Sequence, residues 1–103
     1  MKIHRVVGSV TLCRSHACYQ SARLLACLPE EQSLLTDQPI SETDVVVVWD
    51  ELGAGLGSRI AVSDGAEAAL PFRPELKAVD AYCSAILDET YIAPNALKLL
   101  KVN

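Results

Sequence analysis

The first stretch of the chain, residues 1–12, is rich in β-branched side chains (Ile3, Val6, Val7, Val10, Thr11), which suits a strand. Gly8 in its middle predicts a bulge or a close backbone approach. Residues 14–20 are polar and turn-like, and 23–28 form a second apolar run stopped by Pro29. Residues 30–43, with Pro39 and several polar side chains, read as a long connection or an irregular hairpin. Residues 44–50 hold four consecutive valines and Trp49, the plainest strand in the chain. A glycine-dense loop (Gly53, Gly55, Gly57) and a short strand over 59–63 follow. Asp64 with Glu67 three residues on predicts a capped short helix, ended by Pro71 and Pro74.

The segment 79–89 fits two periods. Val79, Tyr82, Cys83, Ile86 and Leu87 recur at helical spacing, whereas Val79, Ala81, Cys83, Ala85 and Leu87 share one face of a strand. Periodicity alone favours the helix. Residues 93–103, with Leu97, Leu99, Leu100 and Val102 around two lysines, fit either form. The expected core draws on Val45, Val47, Trp49, Ile60, Val62, Cys83 and Leu87, so that Val47→Asp is expected to prevent folding.

Composition narrows the function. At 103 residues the chain is one domain's worth, with half its residues apolar and 21% charged. Nine basic against thirteen acidic side chains give a net charge of −4, which argues against binding nucleic acid through a basic surface. No apolar run approaches the ~20 residues of a membrane span, so no membrane partner is expected. The N-terminal apolar stretch is interrupted by Gly8, Ser9 and Thr11 and lacks a good cleavage site, which reads as a mature, cytosolic chain. Four cysteines (13, 18, 27, 83) without an export signal read as free thiols, with Cys27 and Cys83 as small core residues.

Candidate chemistry is sparse. Gly53, Gly55 and Gly57 follow a strand but are spaced GxGxG and lead into another strand, unlike the GxGxxG-helix of a dinucleotide site. Cys13, His16 and Cys18 supply three potential zinc ligands at an unfamiliar spacing, and a polar loop that happens to carry them is the plainer reading. Asp44, Asp50, Asp80 and Asp88 flank strands, where carboxylates serve mostly as turn formers, and neither histidine sits in a catalytic context. No catalytic residue, metal or cofactor is expected.

The order of these segments resembles the vertex proteins of bacterial microcompartment shells, the family of the carboxysome vertex protein and the ethanolamine-utilisation EutN protein. Met1-Lys2-Ile3 leading to Val6-Val7-Gly8-Ser9-Val10 is similar to its opening strand, and Arg23-Leu24-Leu25 to the start of its second. Asp50 to Gly57 (DELGAGLG) resembles its aspartate-GAGxG stretch. Residues 60–69 resemble its next strand, turn and short helix, and residues 79–88 its VDA…IVD closing strand. Ser58 stands where family members usually carry Glu, and Ala78 where they carry Pro.

The resemblance implies a mainly β fold: a small OB-like five-stranded β-barrel with one short helix, spanning 1–90 and followed by a tail over 91–103. It turns residues 79–89 into a strand. It further implies a homopentamer that caps the vertices of an icosahedral shell among hexameric shell proteins, in the cytoplasm, without catalysis. An opening along the ring axis either passes metabolites or is simply space left by five wedges. The loop Gly53, Ala54, Gly55, Leu56, Gly57, Ser58 is expected at the subunit interface or the axis, because one hairpin does not need three glycines. The competing class is an OB-type module for single-stranded nucleic acid, which needs a basic groove with stacking aromatics. The five aromatics (Tyr19, Trp49, Phe72, Tyr82, Tyr91) are scattered and the chain is acidic.

Overall fold

The computed structural model describes residues 1–19, 22–36, 44–75 and 77–95. Five strands, β1 (Lys2–Val10), β2 (Leu24–Pro29), β3 (Val46–Trp49), β4 (Arg59–Asp64) and β5 (Ala81–Ile86), close into a barrel in the order β1-β2-β3-β5-β4. Every neighbouring pair is antiparallel except β3 with β5, which is parallel and pairs only through Trp49 and Tyr82. Closure removes the free edges that short strands would otherwise expose. Among the described residues, no helix is long and apolar enough to cross a membrane.

β1 is long enough to pair with two partners. Its first half lies between β4 (Lys2 to Arg5 against Val62 to Arg59) and β2, and its second half runs on along β2 alone. The register on β2 slips by one residue between Val6 and Gly8, which is the bulge that Gly8 predicts. A close approach is not the reason for the glycine, since a Cβ there would meet Ala26 at an ordinary 3.8 Å.

Two apolar clusters divide the core. Inside the barrel, Val6, Leu25, Cys27, Val48, Ile60, Val62 and Cys83 are buried with Ala54 and Ala81. Outside it, Trp49, Ala68 and Val79 pack with Tyr19, Leu24, Phe72 and Tyr82. A 3₁₀ segment, Gly65–Phe72, builds this second cluster, with the Phe72 ring edge-on to Trp49 at 5.0 Å and to Tyr82 at 5.5 Å.

Several expectations need correction. On β3 it is Val48 that enters the barrel, while Val47 is 45% and Val45 56% exposed. Four valines in a row carry no alternation, and Trp49 is buried only because the 3₁₀ segment covers the barrel's outer face. Val47→Asp is therefore no core substitution. Leu87 is only half-buried, past the end of β5. Residues 81–86 form the strand that the resemblance implies, not the helix that periodicity alone favours, because the barrel pairs them with β4 and β3.

The segment after Asp64 is 3₁₀, its first residue uncapped by the Asp64 side chain, and Pro71 lies inside it. The short α-helix, α1 (Glu31–Thr36), occupies the stretch expected to be an irregular connection. It sits against β1, where Glu31 Oε1 accepts a hydrogen bond from the Ile3 amide at 2.9 Å. The remainder of that connection, 37–43, and residues 96–103 of the tail lie outside the described residues.

Candidate functional site

The loop between β3 and β4 is organised by one carboxylate. Asp50 ends the strand with its side chain buried, 1% exposed. Its Oδ1 accepts from the Leu52 amide at 3.0 Å, and its Oδ2 from the Gly53 and Ala54 amides at 3.1 and 2.9 Å. The Arg23 guanidinium, at the start of β2, pairs with the same Oδ2 and donates to the Ala54 carbonyl at 2.7 Å. Asp50 returns a backbone bond to the Arg23 carbonyl at 2.8 Å. A buried carboxylate with three amides and one arginine is satisfied, which offsets the cost of its desolvation.

The glycines then separate by reason. Gly53 (φ +90°) and Gly57 (φ +85°) occupy left-handed backbone that side chains disfavour. Gly55 does not, and a Cβ built there meets nothing within 4 Å. Among the described residues nothing requires a glycine at position 55. Ala54 points inward and completes the barrel core, while Leu56 is 80% exposed. The loop ends docked on β1, with Gly57 donating to the Val6 carbonyl and Val6 to the Ser58 carbonyl, both at 2.9 Å. Ser58 Oγ accepts from the Gly55 amide at 3.1 Å. The six predicted loop residues thus stand together as one turn, with Gly55 and Leu56 at its outer tip.

A second charged cluster escapes sequence reading. Arg5 on β1 and Arg59 on β4 are register partners, two like charges side by side. Glu30, 3% exposed between β2 and α1, neutralises both. Its Oε1 accepts from Arg5 Nε at 2.9 Å and Arg59 Nη2 at 3.1 Å, and its Oε2 from Arg59 Nε at 3.0 Å. Burial alone raises the Glu30 pKa, but the hydrogen bonds and charges of the two arginines outweigh it and hold the group below its ordinary value. Only the strand register reveals this need for an acid.

The remaining chemistry is inert. Burial, with the Asp50 charge nearby, pushes the Cys27 thiol up to about 11 and the Cys83 thiol to about 12, so both stay protonated. Cys13 is exposed, and His16 Nδ1 accepts a hydrogen bond from the Cys18 amide at 3.2 Å. Among the described residues no three His, Cys, Asp or Glu side chains gather as metal ligands. The carboxylates of Asp44, Asp80 and Asp88 are surface groups rather than an acid–base pair.

The described residues form a closed OB-like barrel, an architecture that does not by itself fix a function. Comparison with known proteins gives it a family. The family model described as "Ethanolamine utilisation protein EutN/carboxysome" matches residues 1–88, and the chain belongs to that family. It is a family of structural shell proteins of bacterial microcompartments, not of enzymes.

Similar solved structures include the GrpN pentameric microcompartment shell protein from Rhodospirillum rubrum, 26% identical, with TM-score 0.72, over 90% of this chain and 100% of that one. CcmL of Nostoc sp. PCC 7120 is 24% identical with TM-score 0.75, over 88% and 93% of the two chains. EutN from Escherichia coli is 22% identical with TM-score 0.72, over 89% of each. The latter two show likeness of fold. The comparison with curated proteins finds no match.

Proposed function

We propose that the chain assembles as a homopentamer that caps the vertices of an icosahedral microcompartment shell, seated among hexameric shell proteins in the cytoplasm. Residues 1–90 form the wedge and 91–103 a tail. The observation that carries this reading is the family match over almost the whole barrel, joined by a solved relative described as a pentameric shell protein.

The loop geometry supports it. A ring of identical chains needs each copy to offer two different surfaces, one received by the next copy. Gly55 stands beside the exposed Leu56 at the loop's tip, and its lack of a side chain has no cause among the described residues of one chain. A neighbour's backbone passing at Gly55 supplies that cause, and we place residues 53–58 at the subunit interface or ring axis.

Co-expression with a hexameric shell protein tests the role. Closed particles that need this chain, and contain it in small proportion to the tiles, are expected. Particles that close equally well without it and exclude it would overturn the reading.

A further inference from the structure

Resting on the ring reading, we infer that each subunit's C-terminal arm, residues 88–93, docks in a groove of its neighbour above Trp49. The groove holds about 370 Å³ and lies over the outer face of β3. Its floor is apolar: Leu12, Tyr19, Leu24, Val47, Trp49 and Val79. Arg14, His16 and Asp80 also line the groove. It borders the barrel's loosest seam, where β3 is held to β5 by the single pair Trp49–Tyr82. An incoming segment finds apolar contact there.

The arm has what that groove lacks. After Leu87, whose amide donates to the Arg59 carbonyl at 2.8 Å, residues 88–93 belong to no helix or strand and none is buried. Tyr91 is 79% exposed, beside half-buried Ile92. An aromatic left in solvent on a segment without barrel pairing costs ordering and gains nothing, unless another surface receives it. Asp88 and Glu89, just ahead, complement the charge of Arg14.

Direction favours a neighbour over the arm's own barrel. The groove borders the start of β5 at Ala81, and the arm leaves from its end at Ile86. At ~3.3 Å per residue these ends stand roughly 17 Å apart, and the chain runs away from its own groove. Docking in cis needs a full reversal, whereas a head-to-tail contact needs only that β5 run around the ring.

The test uses Glu89→Cys in a Cys18→Ser background, leaving Cys13, adjacent to the groove residues Leu12 and Arg14, as the exposed native thiol. Purified protein is treated with a short bis-maleimide and run on a denaturing gel, with native mass measured in parallel. A ring that yields a covalent ladder, lost when Cys13→Ser is added, is expected. Tyr91→Ala, without the added cysteine, is expected to weaken ring association by roughly tenfold or more, as removal of an aromatic anchor does. An intact ring without cross-links, or with links inside single chains only, overturns the arm contact and leaves the ring standing. A monomeric native mass overturns the ring reading, and this inference with it.

Discussion

The β3–β4 loop and the groove above Trp49 both border β3, and the chain treats them oppositely. The loop is closed by its own residues: Asp50 gathers three amides and Arg23, and β1 receives the far end. The groove is left open, floored by a tryptophan beside an exposed valine, at a seam with one strand pair. The loop's anchor is buried and fully partnered, whereas the loop's tip and the groove are exposed. A substitution at the loop's anchor should therefore unfold the barrel, whereas one at the open surfaces should spare the barrel and loosen the ring.

The largest effect is expected at the anchor. Asp50→Ala leaves the Ala54 amide buried without an acceptor and Arg23 without its partner, and should cost about 3–5 kcal/mol in denaturant unfolding. A loss below ~1 kcal/mol would mean that the loop does not depend on its carboxylate.

Next come two substitutions at exposed positions, one at the tip of the loop and one in the groove. Gly55→Asp and Val47→Asp should each leave the barrel within about 1 kcal/mol of the parent, since one site is open space and the other half-exposed. Both should raise the concentration at which the ring dissociates, read by size-exclusion mass. Loss of the folded circular-dichroism spectrum in Val47→Asp would return that side chain to the core.

Acid sharpens the contrast differently. His4, 5% exposed with Nδ1 unpartnered among the described residues, has a pKa lowered by burial from its ordinary 6.5. Lys2 on β1, Glu31 of α1 and Asp64 of β4 are the charges around it. Below pH ~6.5 the unfolded chain binds a proton that the folded barrel refuses, so stability falls as pH drops toward the folded value. Glu30, lowered from 4.5, withdraws its contribution in the same direction as pH falls below that value. Melting across pH 8 to 3 should show both declines, and His4→Gln should remove the upper one. A flat profile between pH 7 and 5.5 in the parent would contradict the assignment to His4.

The smallest effect belongs to Asp64. Its side chain caps nothing and meets Lys2 at 3.3 Å on an exposed surface, so Asp64→Ala should cost less than ~1 kcal/mol. A larger loss would show that the 3₁₀ segment is capped in solution.

How far the sequence could be read depended on the kind of signal. Strands with turn residues at their ends, and the bulge at Gly8, follow from local chemistry that each segment carries alone. The aspartate–glycine loop was legible as a unit, but the reasons for its glycines needed backbone angles: Gly53 and Gly57 turn the chain, and Gly55 does not. Faces were harder. Valines 45–48 hold no alternation, and Trp49 is buried by a cluster drawn from distant segments, Ala68 and Phe72 among them, about twenty residues away. The strand at 81–86 mimics a helical stripe because its outer face also packs, Tyr82 against Phe72. α1 was missed although Pro29 ends a strand and Glu30 and Glu31 place acids at a helix start. The Glu30 clamp had no local signal, since Arg5 and Arg59 meet only once the register is known.

The central claim is that the surfaces this chain leaves open are closed by its own copies. Native mass spectrometry of the purified wild-type chain over a dilution series tests it most directly. A species of five times 11.1 kDa that persists at micromolar concentration is the predicted result. A monomer at that concentration would contradict the account.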